Sequence, residues 1–141
     1  MSVTFDLGGI VENLKIEEGF RARPYHCTAG ILTIGFGRNL SNSGQGISEE
    51  EAAYLLKNDV VRTIDEVRRN YPWFDDLSKA AREVLVELCF QLGAPRLSGF
   101  VKCLAALEAG DTATAAAELL DSKFARQVPA RARRLSQRLL D

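Results

Sequence analysis

Apolar positions along the chain follow two rhythms. Over residues 8–18 they fall at helical spacing, with Ile10, Val11, Leu14 and Ile16 predicted on the buried side. Gly19 stands where a positive φ stops a helix, which places Glu18 in the last turn. From 23 to 37 the rhythm changes. Ile31, Leu32, Thr33, Ile34 and Phe36 supply β-branched and apolar bulk, Pro24 stands at the start, and Thr28-Ala29-Gly30 supplies a turn. This predicts a short hairpin. Residues 39–46, NLSNSGQG, are turn formers and predict a loop.

Helical spacing returns at Ser48, which forms a capping box with Glu51. Ala53, Leu56, Val60, Ile64 and Val67 carry the stripe to about Arg69, a helix of about 30 Å, long enough to bridge two lobes. Tyr71-Pro72-Trp73-Phe74 breaks it. Ser78 caps a further helix whose Ala81, Val84, Leu85, Leu88, Cys89 and Leu92 line one face, and Gly93 ends it. Residues 98–109 and 112–121 predict two shorter helices separated by Gly110 and the cap Asp111. Pro129 opens a final helix to about Leu140. There is no internal repeat or linker. The pattern predicts an α+β fold in one domain, residues 1–141. Its parts are a β lobe at about 22–46, a connecting helix at about 48–69, and a helical lobe at about 75–141 joined by the N-terminal helix.

Composition narrows the functional classes. A formal net charge of −1 gives no global case for a polyanion-binding protein. The basic residues are unevenly placed: six fall between Lys123 and Leu140, with no acidic residue among them. Nucleic-acid binding through this segment is disfavoured by the neutral whole and by the lack of a recognition motif. The three cysteines, Cys27, Cys89 and Cys103, cannot all pair within one chain, which argues for a reducing compartment. Cys89 and Cys103 fall on apolar helical stripes and read as small buried hydrophobes. With His26 the single histidine, a solvent-facing strand residue, and no CxxC, neither a metal nor a cofactor is expected. The opening MSVTFDLGGIVENLKI lacks a charged n-region, and Asp6, Glu12 and Asn13 interrupt its apolar positions, so no signal peptide or membrane anchor is expected.

The candidate chemistry lies in LKIEEGFRARPYHCTAGILTIGFGRNL, Leu14 to Leu40. Glu18, Cys27 and Thr33 are separated by eight and then five residues. This spacing predicts an acid at a helix end and two small polar groups on the arms of a hairpin, facing one another across a cleft. Taken singly, each is ordinary: a solvated carboxylate, a small hydrophobe, a good strand residue. Gly35-Phe36-Gly37 lacks the third glycine of a dinucleotide loop. Its glycines let the strand approach a bound molecule closely or turn sharply.

This segment resembles the active-site signature of the phage-type lysozymes: Glu, then Asp or Cys after eight residues, then Thr after five more. The EEG triplet, Tyr25 two residues before Cys27, and the T-I-G-F-G run resemble the family as well. A second stretch, Ser122 to Arg134, shares the family's Q-x-P-x-R-A-x-R frame, and in outline the likeness runs from about Val11 to Leu140. The resemblance implies a mostly helical lysozyme-like fold and a muramidase, a glycoside hydrolase of the inverting type. Glu18 would protonate the leaving oxygen, as a general acid must. Thr33 and Cys27 would handle the water, with Cys27 open to orienting water, stabilising positive charge or attacking directly. Arg131 would pair with Glu18 and Arg134 with Glu17, while Arg133 and Arg138 read as solvated. Phe90-Gln91-Leu92-Gly93 matches a cleft-lining segment, so Phe90, Gln91 and Gly35 are candidate substrate contacts. The implied partner is bacterial peptidoglycan, with no nucleic acid. A monomeric chain would wait in the host cytoplasm until a holin permeabilises the membrane, then act on the wall in the periplasm. A lytic transglycosylase and a non-catalytic wall-binding or phage-structural module are the competing readings.

Overall fold

The computed structural model describes residues 3–141. The chain divides into two compact units, Met1–Ala52 and Ala53–Asp141. Among the described residues there are eight α-helices, one 3-10 turn and three strands. No described helix is long and apolar enough to cross a membrane.

The first unit begins with α1 (Leu7–Glu18), capped by the Asp6 side chain, which accepts the Gly9 amide at 3.0 Å. The helix falls where its spacing predicts, but it buries no residue. Ile10, Val11, Leu14 and Ile16 are all exposed, contrary to the expectation of a buried stripe. Helical periodicity reports which residues share a side, and three short strands supply too little apolar surface to cover that side.

The strands are β1 (Arg21–His26), β2 (Leu32–Gly35) and β3 (Arg38–Asn39), an antiparallel sheet in the order β1-β2-β3. Tyr25 pairs with Thr33, and Thr33 with Asn39, so Thr33 lies on the central strand. Pro24, predicted at the start of the strand, sits inside β1 where the register shifts between Arg21 and Tyr25. A residue without an N–H is tolerated at such an irregularity. β3 takes its second residue, Asn39, from the segment predicted as loop. A two-residue strand carries too little pattern to be read from sequence.

The helix α2 (Glu49–Asn70) crosses the boundary between the units. Its capping box is present: the Ser48 amide donates to Glu51 Oε1 at 2.8 Å, and the Glu51 amide donates to Ser48 Oγ at 3.1 Å. The Ser48 backbone bond, then the Ser48 side chain and Arg38, hold the Glu51 carboxyl below the usual range. The predicted stripe is only half used. Ala53 and Leu56 are exposed, Val60 and Ile64 are half-buried, and Val67 is fully buried.

In the second unit a 3-10 turn (Phe74–Asp76) breaks the chain where Tyr71-Pro72-Trp73-Phe74 predicts it. There follow α3 (Lys79–Leu92), α4 (Ala94–Leu97), α5 (Val101–Glu108), α6 (Thr112–Leu120), α7 (Lys123–Gln127) and α8 (Pro129–Leu140). Two of these, α4 and α7, are single turns that the pattern did not separate. α6 packs on α5 and α8, and α3 packs on α4 and α8. Val84, Leu85, Leu88, Leu97, Leu107 and Leu119 are almost wholly buried between them. Cys89 and Cys103 lie in this core, as expected. Burial, with Glu118 adding to it, pushes the Cys103 thiol up to about 11. Arg138, predicted to be solvated, stays partly exposed and is also paired. It reaches Glu83 at 3.2 Å and Glu87 at 2.6 Å, tying α8 to α3.

Candidate active site

Of the predicted site residues, Glu17, Glu18, Cys27, Thr33 and Gly35 lie in the first unit. Phe90, Gln91, Arg131 and Arg134 lie in the second, all exposed, on α3 and α8.

Glu18 is the last residue of α1. Gly19, at φ +70°, turns the chain and returns its N–H to the Lys15 carbonyl at 3.0 Å. A left-handed residue at that point ends the helix and leaves the Glu18 side chain exposed. The chain then passes into β1 and reaches Cys27.

Cys27 falls just beyond β1, in the turn itself rather than on a strand arm as expected. Its N–H donates to the Ile31 carbonyl at 3.0 Å, and its own carbonyl accepts from Gly30 at 2.8 Å. Hydrogen bonds from the backbone of Ile31 and then Ala29 favour the thiolate and lower the Cys27 pKa, with a smaller part from the Thr33 hydroxyl, against desolvation. The turn therefore favours the ionised form of Cys27 relative to a free thiol.

Thr33 is the one buried residue among the described residues of the first unit, at 4% exposure. Its hydroxyl donates to the Ile31 carbonyl at 2.8 Å. A hydroxyl has a single proton. With that proton on Ile31, Thr33 presents lone pairs to any further partner and acts as an acceptor. To donate to a Cys27 thiolate it must give up the Ile31 carbonyl. Cys27 and Thr33 are thus two ends of one small hydrogen-bonded system built on the Cys27–Ile31 turn.

Opposite the helix end, Phe36 and Gly37 form the turn between β2 and β3. The Phe36 ring lies 5.5 Å from the Phe20 ring, and the Lys15 ammonium stands 5.7 Å from its centroid. The Glu18 carboxyl fills the space that a side chain on Gly37 would enter. Sequence reasoning assigned the glycines of this run to a bound molecule or a sharp turn and missed the approach of the acid. The signal was present as a second glycine one residue past Phe36, but spacing alone does not say what approaches it.

The phage lysozyme family profile matches residues 15–138. The chain belongs to the phage lysozyme family. A relative from Dictyostelium discoideum, described as a probable T4-type lysozyme 2, is 25% identical over 156 aligned residues, covering 92% of each chain. Membership makes this chain a lysozyme-like glycosidase. The first unit holds an acid at a helix end, a buried hydroxyl and a turn-held thiol.

Away from these residues, a cavity of about 610 Å³ opens within the second unit, over Phe100, Cys103 and Phe124. None of the predicted site residues lines it.

Proposed function

We propose that the chain is a phage endolysin of the muramidase type. It would hydrolyse the β-1,4 bond between N-acetylmuramic acid and N-acetylglucosamine in bacterial peptidoglycan. The observation that carries this reading is the Glu18 carboxyl seated at the Phe36-Gly37 turn, in the same unit as Cys27 and Thr33, in a chain of the phage lysozyme family. Glu18 donates its proton to the leaving oxygen. Thr33, whose proton is held by Ile31, accepts a hydrogen bond from the attacking water and fixes its direction. Cys27 stands at the neighbouring turn, where main-chain hydrogen bonds favour its ionised form relative to a free thiol. This supports water orientation or stabilisation of the oxocarbenium-like centre, as in an inverting glycosidase.

Arg131, Arg134 and Glu17 act as supporting residues in this reading, and Phe90, Gln91 and Gly35 as substrate contacts. The protein works as a monomer. It stays in the host cytoplasm until a holin permeabilises the membrane, and lyses the cell from the periplasm.

The test is product analysis on purified sacculi. Muropeptides ending in reducing N-acetylmuramic acid, with inverted anomeric configuration by NMR at early times, support the reading. Products ending in 1,6-anhydro-N-acetylmuramic acid point to a lytic transglycosylase. Binding to sacculi with no released product points to a non-catalytic wall module.

A further inference from the structure

Gly37 has a backbone φ of +76°, a region that side chains rarely enter. A methyl group on its α-carbon would lie 2.7 Å from Glu18 Oε2, 2.9 Å from Cδ and 3.3 Å from Cγ. The carboxyl and its last methylene therefore occupy the space beside the Gly37 α-carbon where a side chain would begin. The turn is anchored to the same helix end. Phe36 stacks against Phe20, two residues past α1, and against Lys15 in its last turn. The carboxyl of a long, exposed side chain would otherwise range over many rotamers. Here one side of its range is bounded by main chain rather than by a movable side chain.

We propose that Gly37 is the positioning residue for the Glu18 carboxyl. The missing side chain at 37 is the space the acid occupies, and any Cβ there turns the carboxyl away from its working direction. The catalytic half of this proposal rests on Glu18 being the general acid; the steric half does not. A second glycine of the same unit separates displacement from backbone strain. Gly46 has φ +66°, but a methyl group there would meet nothing within 4 Å. Alanine at 46 carries a comparable strain and no clash.

The experiment combines a double-mutant cycle with kinetics. Urea unfolding of the wild type, Gly37→Ala, Glu18→Ala and the double variant measures the coupling. Gly37→Ala should lower the folding equilibrium constant roughly tenfold more when Glu18 is present than when it is Ala, a coupling expected of neighbouring residues. Equal costs in the two backgrounds would overturn the proposal. On soluble peptidoglycan fragments, Gly37→Ala should lower kcat on the order of 10²-fold, the scale of a misplaced reacting group, with KM nearly unchanged. Gly46→Ala should leave both close to the wild type. Equal kcat for the two alanine variants would also overturn it. If alanine at 37 does not fold, Gly37→Asn carries the same test, because Asn accepts a left-handed backbone yet still brings a Cβ. Full kcat with Asn at 37 contradicts the proposal. Wild-type turnover by Glu18→Gln would overturn the glycosidase reading and leave the coupling in place. An additive cycle together with an inactive Glu18→Gln would do the reverse.

Discussion

The two units of this chain are organised by different means. From Ala53 to Asp141, twenty apolar residues are buried, and helix boundaries follow the alternation of buried and exposed positions. In the described residues up to Ala52 only Thr33 is buried, and it is polar. What replaces packing there is main-chain geometry. Five of the seven glycines with positive φ lie in this unit, and they set the helix end, the hairpin turns and the seat of the Glu18 carboxyl. A structure held by turns places small polar groups accurately while leaving their surroundings open. A structure held by a core supplies the cooperative stability that three short strands lack.

The largest effect that would break this contrast is a core deletion. Leu85→Ala, at a fully buried position of α3, should cost about 2–5 kcal/mol in urea unfolding. A cost near zero would mean that the second unit does not carry the stability assigned to it. Next comes the chemistry of the two thiols. Main-chain hydrogen bonds lower the Cys27 pKa, so its thiolate fraction appears at lower pH, whereas Cys103 is pushed up to about 11. Alkylation by iodoacetamide, followed by mass spectrometry from pH 6 to 10, should therefore label Cys27 first, with a rate that levels off at a lower pH. Labelling of Cys103 first would contradict the contrast between an open, turn-held thiol and a core thiol. The smallest effect concerns Thr33→Val, which removes the bond to the Ile31 carbonyl. It should change stability by only about 1 kcal/mol, the ordinary worth of one hydrogen bond, while turnover falls by more than this stability loss explains. Unchanged turnover would reduce Thr33 to a strand residue.

Legibility from sequence differed between the units for the same reason. The second unit's Ser78, Asp111 and Pro129 boundaries and the Leu85–Leu88–Cys89 face were readable because helical periodicity and capping are local signals. The ion pairs of Arg138 were missed because its partners Glu83 and Glu87 lie some fifty residues away in sequence. In the first unit, the spacing of Glu18, Cys27 and Thr33 gave the candidate chemistry, but not how it is held. The exposed stripe of α1, the short β3 and the closeness of Gly37 and Glu18 all depend on tertiary placement, on which hydrophobic pattern is silent. The direction of the Thr33 proton is a matter of one hydrogen bond and has no sequence signature.

The central claim is that Glu18 serves chemistry and not stability. The direct measurement is peptidoglycan turnover and urea unfolding of Glu18→Gln beside the wild type. The account predicts a turnover loss on the order of 10²-fold or more, as for a missing general acid, with the unfolding midpoint unchanged. Equal turnover by the two folded proteins would contradict it.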